Sequence, residues 1–171
     1  MSLSEKKVEK KDAALQRIAP SFRGNFTYLV DEKGRVSLPA PFRDILDKRA
    51  EESVVVTNFI SDGSRCLEGF GIQSWIEFEF KLRSSKSRFD AKLQRLENFY
   101  LSRAAECPID RNGRILLPEH LRTYAAIERE VTFTSSIHGF RIWNKKVWDL
   151  TFAQAESMLI EDPNVFSDID I

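Results

Sequence analysis

Cysteine and histidine are scarce in this chain of 171 residues, which has only two of each. Cys66 and Cys107 are far apart in the sequence, and neither has a partner at the spacing of a metal site. His120 and His138 likewise lack an Asp or Cys at ligand spacing. The sequence therefore predicts reduced thiols and neither a disulfide scaffold, a metal site nor another cofactor.

Long hydrophobic runs are also absent. No segment approaches the roughly 20 apolar residues of a membrane span, and no charged region followed by an apolar stretch marks a secretory signal. We expect a cytoplasmic protein with no membrane partner. The sequence has no G-x-S-x-G, no H-E-x-x-H and no phosphate loop, so neither an enzyme nor a small-molecule substrate is predicted.

Net charge is zero, with 26 basic and 26 acidic residues, but the charges are unevenly distributed along the chain. Residues 1–50 have 11 Lys or Arg against 7 Asp or Glu, and residues 81–103 have 7 against 2. Residues 149–171 have 6 acidic residues and no basic one. Binding to a polyanion needs a local basic patch rather than a basic protein, so a nucleic-acid partner remains possible.

The most informative feature is a repeat. The stretch "VDEKGRVSLP", residues 30–39, recurs as "IDRNGRILLP", residues 109–118, and Trp75 has a counterpart in Trp148. The offset falls from 79 to 73 between these matches, and we place this difference in the polar connection Ile60–Cys66. The sequence pattern of each unit predicts a strand, a tight turn, a strand, a short helix, two strands and a helix that contains the Trp.

These patterns predict five segments. A flexible basic extension spans 1–21, the first unit 22–80, a connecting helix 81–100, the second unit 101–150, and a helix end with an acidic tail 151–171. Neither unit has enough apolar strand to form a stable sheet alone. We therefore expect a mainly β fold with peripheral helices (α+β), in which two units interleave into one pseudo-symmetric β-barrel.

The stretches "FRGNFTYLVDEKGRVSLPAPFRDIL" and "ECPIDRNGRILLPEHLRTYA" resemble the MraZ proteins, bacterial transcriptional regulators with two tandem SpoVT-AbrB-type units. The resemblance covers about Phe22 to Leu150 and implies a swapped-hairpin, double-psi-type barrel. It also implies closed homo-oligomeric rings and binding to G-rich direct repeats in the promoter of the division and cell-wall gene cluster. That gene cluster includes the regulator's own gene, and the usual effect is repression. Binding to chromosomal DNA implies that such a regulator is associated with the nucleoid. Residues 1–20 lie outside the resemblance.

Two interpretations of the repeated arginines remain open. Arg35 and Arg114 can each pair with the Asp four residues earlier, Asp31 and Asp110, and brace a turn whose Gly34 or Gly113 takes a positive φ. The arginines can also contact DNA, and the two roles are compatible. Arg binds guanine O6 and N7 bidentately, and a two-stranded ribbon fits the major groove.

We predict that the first turn reads DNA, with Arg35 at base edges and Lys33 and Arg23 on phosphates. For the second turn, Arg114 and Arg111 are predicted as backbone contacts or a structural duplicate. Arg43 and Arg122 begin short helices, and they and the three Trp are expected to be structural. The main alternative function is an AbrB-like module that binds a protein partner, as an antitoxin does.

Overall fold

The protein is represented by a computed structural model that describes residues 21–85 and 89–169. Each unit has the predicted order of elements. The first contains β1 Asn25–Leu29, β2 Arg35–Ser37, α1 Ala40–Lys48, β3 Ser53–Ser61, β4 Ser64–Gly71 and α2 Ile72–Ser85. Between the units lie α3 Ala91–Phe99 and a short 3-10 helix, Leu101–Arg103. The second contains β5 Ala105–Pro108, β6 Arg114–Leu116, α4 Glu119–Tyr124, β7 Glu130–Ser135, β8 Phe140–Asn144 and α5 Lys145–Glu161, followed by α6 Val165–Asp168.

The two units interleave, as the repeat predicted. One antiparallel sheet has the strand order β1-β7-β8-β4-β3-β5, and a second pairs β2 with β6. The first strand of each unit therefore joins the hairpin of the other unit, and β2 of one unit pairs with β6 of the other. In the register, Tyr28 lies opposite Val131 and, symmetrically, Cys107 lies opposite Val54. Neither unit could bury its strands without the other.

Proline and side-chain caps fix where the helices begin. α1 and α4 follow Pro39 and Pro118, whose ring restricts φ to a value that suits a helix start. Asp90 caps α3, and its carboxylate accepts hydrogen bonds from the backbone N–H groups of Lys92 and Leu93. Asn144 caps α5 in the same way.

Two hydrophobic clusters hold these elements together. The larger one is shared by both units and is centred on Phe42 of α1, whose ring packs edge-on against Phe22, Phe26 and Phe133. The smaller one lies under α2 and α3 and contains Val55, Phe70, Trp75 and Tyr100. Full burial of an aromatic side chain is worth about 1.5–3 kcal/mol, so the shared cluster ties the fold of each unit to that of the other.

The predicted connecting helix over 81–100 is wrong in its bounds. Residues up to Ser85 continue α2, and α3 begins only at Ala91 because Asp90 caps it. Leu96, Phe99 and Tyr100 pack on the smaller cluster. Phe89 lies outside the helix and is exposed.

The length difference between the units is also only partly where the sequence placed it. Asp31 and Asp110 differ by 79 positions, while the symmetric register positions Val54 and Val131 differ by 77. Two of the six extra residues of the first unit therefore precede β3, in and after α1, which is longer than α4. The remaining four lie in the β3–β4 hairpin.

The strand pairing gives a six-stranded and a two-stranded sheet, and a closed barrel stays a prediction. Among residues 21–85 and 89–169, no helix is long and apolar enough to cross a membrane. The predicted basic extension over residues 1–20 lies outside the described residues.

Candidate nucleic-acid interface

The first repeated turn is closed by one aspartate. Asp31 Oδ1 accepts hydrogen bonds from the backbone N–H groups of Lys33 and Arg35, at 3.0 and 2.9 Å. Its Oδ2 accepts a third from Nε of Arg35, at 2.7 Å. The carboxylate thus holds the backbone of the turn and the guanidinium that leaves it, so the Arg35 side chain has a fixed direction.

The second turn has the same arrangement. Asp110 Oδ1 accepts from the backbone N–H groups of Asn112 and Arg114, at 2.8 and 3.0 Å, and Oδ2 accepts from Nε of Arg114 at 2.8 Å. In both turns the glycine has a positive φ, +86° for Gly34 and +71° for Gly113. A residue with a side chain is strained at such an angle, which explains why both copies have Gly.

These contacts lower the pKa of both aspartates below the ordinary value of 3.8. The main cause is the hydrogen bond from the backbone N–H of Arg35 or Arg114, and the guanidinium contributes as well. Asp31 and Asp110 are therefore charged at neutral pH and keep the arginines oriented.

The β2–β6 ribbon places the two arginines on one face. Ser37 lies opposite Arg114, and Arg35 lies opposite Leu116. Because side chains alternate along a strand, these four residues point to the same side, while Val36 and Ile115 point into the core. Arg35 and Arg114 are diagonal neighbours, about 7–8 Å apart by the geometry of such pairs.

Both guanidinium groups are partly exposed on this face, by 36% for the Arg35 side chain and 30% for that of Arg114. A guanidinium has five N–H donors, and the bond to Asp31 uses only the one on Nε. An arginine that is oriented by a carboxylate and reaches solvent has the arrangement that bidentate recognition of a base or a phosphate needs.

Of the three further predicted cations, two lie in the turns of the ribbon, and Arg23 lies at the other end of β1, away from the first turn. Lys33 lies within the first turn, Arg111 within the second, and Arg23 precedes β1; all three are exposed. Lys33 is the second residue after Asp31 and Arg111 is the first after Asp110, so the two cations do not occupy equivalent positions in their turns. Each aspartate accepts the same three hydrogen bonds, and Nη2 of Arg114 also lies 2.8 Å from Asp110 Oδ2. That the first turn contacts the bases and the second does not stays a prediction.

Arg43 and Arg122 connect the units at the turns. The guanidinium of Arg122, in the second unit, lies against Gly34 of the first, and Arg43 lies against Gly113. Nε of Arg122 also donates to the carbonyl of Leu117 at 3.0 Å. The sequence predicts a structural role for both arginines but does not identify the residues that they contact. Their partners are glycines distant in sequence, which no local pattern reveals.

A buried polar cluster was missed by sequence analysis. Glu68 of β4 is 8% exposed, accepts a hydrogen bond from the hydroxyl of Tyr100 at 2.5 Å, and lies 3.9 Å from Nε of Arg141 on β8. Burial raises the pKa of the Tyr100 hydroxyl, and the neighbouring Glu68 carboxylate adds to the effect. A charged residue within the apolar run of β4 was the available signal.

The other residues considered have structural positions. Trp75 belongs to the smaller cluster, Trp143 donates to Thr134 Oγ1 at 2.9 Å, and Trp148 packs on Trp143. His120 lies 3.2 Å from the carbonyl of Arg103. In the part of the chain that the structure describes, no group of three His, Cys, Asp or Glu could hold a metal ion.

Comparison with known proteins agrees with this doubled architecture. Residues 21–99 and 100–164 each match the model of one family, described as "MraZ protein, putative antitoxin-like". The chain belongs to the MraZ family. The two matches correspond to the two interleaved units. The resemblance inferred from the repeated turns is thereby confirmed.

Several curated MraZ relatives are similar to the chain over most of their length. A protein of Geotalea daltonii is 36% identical over 152 residues, covering 83% of this chain and 95% of the relative. One of Desulforamulus reducens is 38% identical, covering 80% and 90%. One of Geobacter sulfurreducens is 34% identical, covering 82% and 89%. All three are named "Transcriptional regulator MraZ", which describes a regulator and not an enzyme.

Proposed function

We propose that this chain is a transcriptional regulator that binds double-stranded DNA through the exposed face of the β2–β6 ribbon. The observation that supports this most directly is the pair Arg35 and Arg114, each oriented by its own aspartate on one face of a narrow two-stranded ribbon. A two-stranded ribbon fits the major groove, which is about 12 Å wide. The regulatory names of the MraZ relatives agree with this function.

The proposed division of labour follows from the chemistry of the cations. Arg35 contacts guanine edges, because its planar fork matches O6 and N7, and Arg114 contacts a base edge or the backbone. Lys33, Arg23 and Arg111 contact phosphates as point charges. In our proposal the preferred DNA carries G-rich direct repeats in the promoter of the division and cell-wall gene cluster, which includes the protein's own gene. Binding there represses transcription in the cytoplasm, on nucleoid DNA.

One protomer offers few cations, so we also propose a closed homo-oligomeric ring in which several ribbons bind successive repeats. Linked binding sites raise the effective concentration of each further contact, and overall affinity can exceed that of one site by about 10²–10⁴. Within each protomer, we propose that the two sheets together form the swapped-hairpin, double-psi-type barrel. The interleaved strand order and the crossed pair β2–β6 support it.

Fluorescence anisotropy across a salt series tests the DNA-binding proposal. The wild type, Arg35→Ala and Arg114→Ala are titrated onto G-rich repeat DNA and a scrambled control, and Lys48→Ala, an exposed cation on α1, is the matched variant. We expect the arginine variants to lose roughly tenfold to hundredfold in affinity for the repeats, since a bidentate pair is worth about 1–3 kcal/mol. Undiminished discrimination in both arginine variants would refute the ribbon as the DNA surface.

An antitoxin-like module is the second candidate, and the wording of the family description favours keeping it. It requires a complex with a protein partner rather than with DNA. Binding to phosphates weakens steeply with salt, whereas an apolar protein complex does not. Specific repeat binding that falls with salt supports the regulator, and a failure to prefer repeats at low salt supports the antitoxin-like module.

A further inference from the structure

The second half of α5 carries apolar side chains that no described part of the chain covers. Thr151 is the last buried residue of this helix. Beyond it, the exposed large apolar side chains are Phe152, Met158, Leu159, Ile160, Phe166 and Ile169. An exposed apolar surface of this extent is typical of an interaction site. We call residues 152–169 the C-terminal arm.

The side of α5 that contacts the body continues into the arm. Trp148 packs on Trp143, and Thr151 Oγ1 donates to Ser64 Oγ at 3.1 Å. Steps of three and four residues along that side lead to Met158 and Leu159. The helix ends at Glu161, so its ten residues after Thr151 extend about 15 Å. The arm therefore presents a continuous apolar side beyond the body.

A groove where the first unit meets α3 and the second unit has complementary chemistry. It has a volume of about 580 Å³ and is open between α2, α3 and the turn of residues 136–138. Its walls are largely apolar, formed by Phe59, Phe70, Phe78, Leu96 and Phe99. Glu68, Tyr100 and Arg141 form polar contacts with one another there. Ile137 stands at its rim with 89% of its surface exposed. We call this the α2–α3 groove.

The arm and the chain around the groove carry opposite charge. Residues 152–169 contain four acidic residues and no basic one, and residues 81–85 and 89–103, which include the end of α2 and all of α3, contain five basic and two acidic ones. Within the groove itself, Lys81 and Arg141 are balanced by Glu68 and Glu77, so the positive excess lies on the parts of α2 and α3 around it. Opposite charges at an interface favour the correct encounter and its orientation.

We propose that the C-terminal arm of one copy docks into the α2–α3 groove of a second copy of this chain. The inference rests on the self-assembly proposed above and names the surfaces that carry it. The two surfaces are different parts of the chain, so the contact is head-to-tail. A docked pair of copies leaves one arm and one groove unused, and repeated docking produces a ring or a filament.

Two variants disable one surface each. Leu159→Glu puts a charge on the apolar side of the arm, and Ser157→Glu adds the same charge elsewhere on that helix as its control. Lys81→Glu with Ile137→Glu makes the groove acidic, and Lys48→Glu on α1 is the control for the charge reversal at position 81. All these positions are exposed, so the variants should fold, which circular dichroism and thermal melting verify.

Sedimentation velocity then gives the assembly of each variant. We expect the wild type and both controls to form oligomers, and the arm and groove variants to be monomeric, with self-association weakened at least a hundredfold. An equimolar mixture of the arm and groove variants provides the decisive measurement. It retains one intact arm and one intact groove, so it should give a one-to-one dimer and nothing larger.

Other outcomes overturn the proposal. A monomeric wild type removes both this contact and the ring, and full assembly by either variant shows that its surface is not used. A mixture that stays monomeric shows that the two surfaces do not meet, as when arm packs on arm or the groove takes a different partner. DNA binding is measured separately on the same proteins, so the DNA proposal can fail while the docking result stands.

Discussion

The guanidinium of Arg122 lies against Gly34, in the turn of the other unit. A Cβ added to Gly34 would stand 2.8 Å from Cζ of Arg122. The same relationship joins Arg43 to Gly113, where an added Cβ would stand 2.5 Å from Cδ of the arginine. Each turn of the candidate interface is therefore held from within by its aspartate and from the other unit by an arginine.

Because of this contact, we expect Gly34→Ala to lower the free energy of unfolding by more than an ordinary Gly→Ala substitution does. The positive φ alone costs about 1–3 kcal/mol for a residue with a side chain. Gly63→Ala is the matched control, because Gly63 also has a positive φ of +73° but no atom within 4 Å of an added Cβ. We expect Gly34→Ala to lower the free energy of unfolding by about 1 kcal/mol beyond the control, because the Arg122 guanidinium must move off its 3.0 Å hydrogen bond to the Leu117 carbonyl to make room.

Urea denaturation of the single variants and of Gly34→Ala with Arg122→Ala checks the cause. The double variant should lose less stability than the sum of its single variants, since removing the guanidinium relieves the clash. Additive losses would show that Arg122 does not restrict this position.

The aspartates predict how stability depends on pH. The pKa of Asp31 and that of Asp110 are lower in the folded than in the unfolded chain, so the unfolded chain binds more protons between the two values. The free energy of unfolding therefore rises with pH in that window. The contribution is complete above 3.8 and is lost as pH falls through the lowered folded value.

Chemical denaturation from about pH 2 to pH 6 measures this dependence. Below pH 4, the free energy of unfolding of the double variant Asp31→Asn, Asp110→Asn should rise with pH less steeply than that of the wild type. Asp47 is an exposed carboxylate on α1, so Asp47→Asn should differ little from the wild type. A double variant with the full wild-type slope would mean that the turns do not hold these carboxylates in solution.

Arg35→Lys separates charge from geometry in the proposed DNA complex. Lysine keeps the positive charge but lacks the planar fork that matches guanine. We expect the salt slope of repeat binding to stay near the wild-type value and the preference over scrambled DNA to fall about tenfold or more. Arg35→Ala should lose this preference and, in addition, lower the slope of log affinity against log salt concentration by about one, because it removes the charge. If Arg35→Lys distinguishes repeat DNA from scrambled DNA as well as the wild type does, Arg35 contacts a phosphate rather than a base.

Tyr100→Phe tests the buried cluster. Removing the hydroxyl leaves Glu68 Oε2 without its 2.5 Å donor, and a buried acceptor left unpaired costs about 1–3 kcal/mol. Tyr124→Phe is the control, because its hydroxyl makes a longer bond, 3.3 Å, to the carbonyl of Phe59 at a partly exposed position. Thermal melting should show a larger loss for Tyr100→Phe, and equal losses would argue against the cluster.

Both cysteines should resist alkylation in the folded protein. Cys66 and Cys107 are free and buried, and burial raises the pKa of each thiol to about 12. The thiolate is the reactive form, so little of it exists at pH 8. Mass spectrometry after iodoacetamide treatment should find few modified chains without denaturant and two modifications per chain in urea. Rapid labelling of folded protein would contradict this burial.

Much of this fold could be predicted from local sequence. The repeated Asp-x-x-Gly-Arg spacing indicated two equivalent turns, and the prolines after them marked the starts of α1 and α4. These features depend on residues within about five positions of one another, whose geometry the backbone fixes. The error at the connecting helix arose because helical spacing does not reveal where a cap such as Asp90 ends the previous segment.

By itself, the sequence determined the turns, their aspartate–arginine pairs and the doubling of one unit, because each depends on near neighbours along the chain. Only the tertiary structure decided that Arg35 and Arg114 share a face and that Arg43 and Arg122 each pack on the other unit's glycine. Those relationships join residues that are 70 to 88 positions apart. They arise from strand exchange between units, driven by burial of an apolar core that neither unit can complete alone.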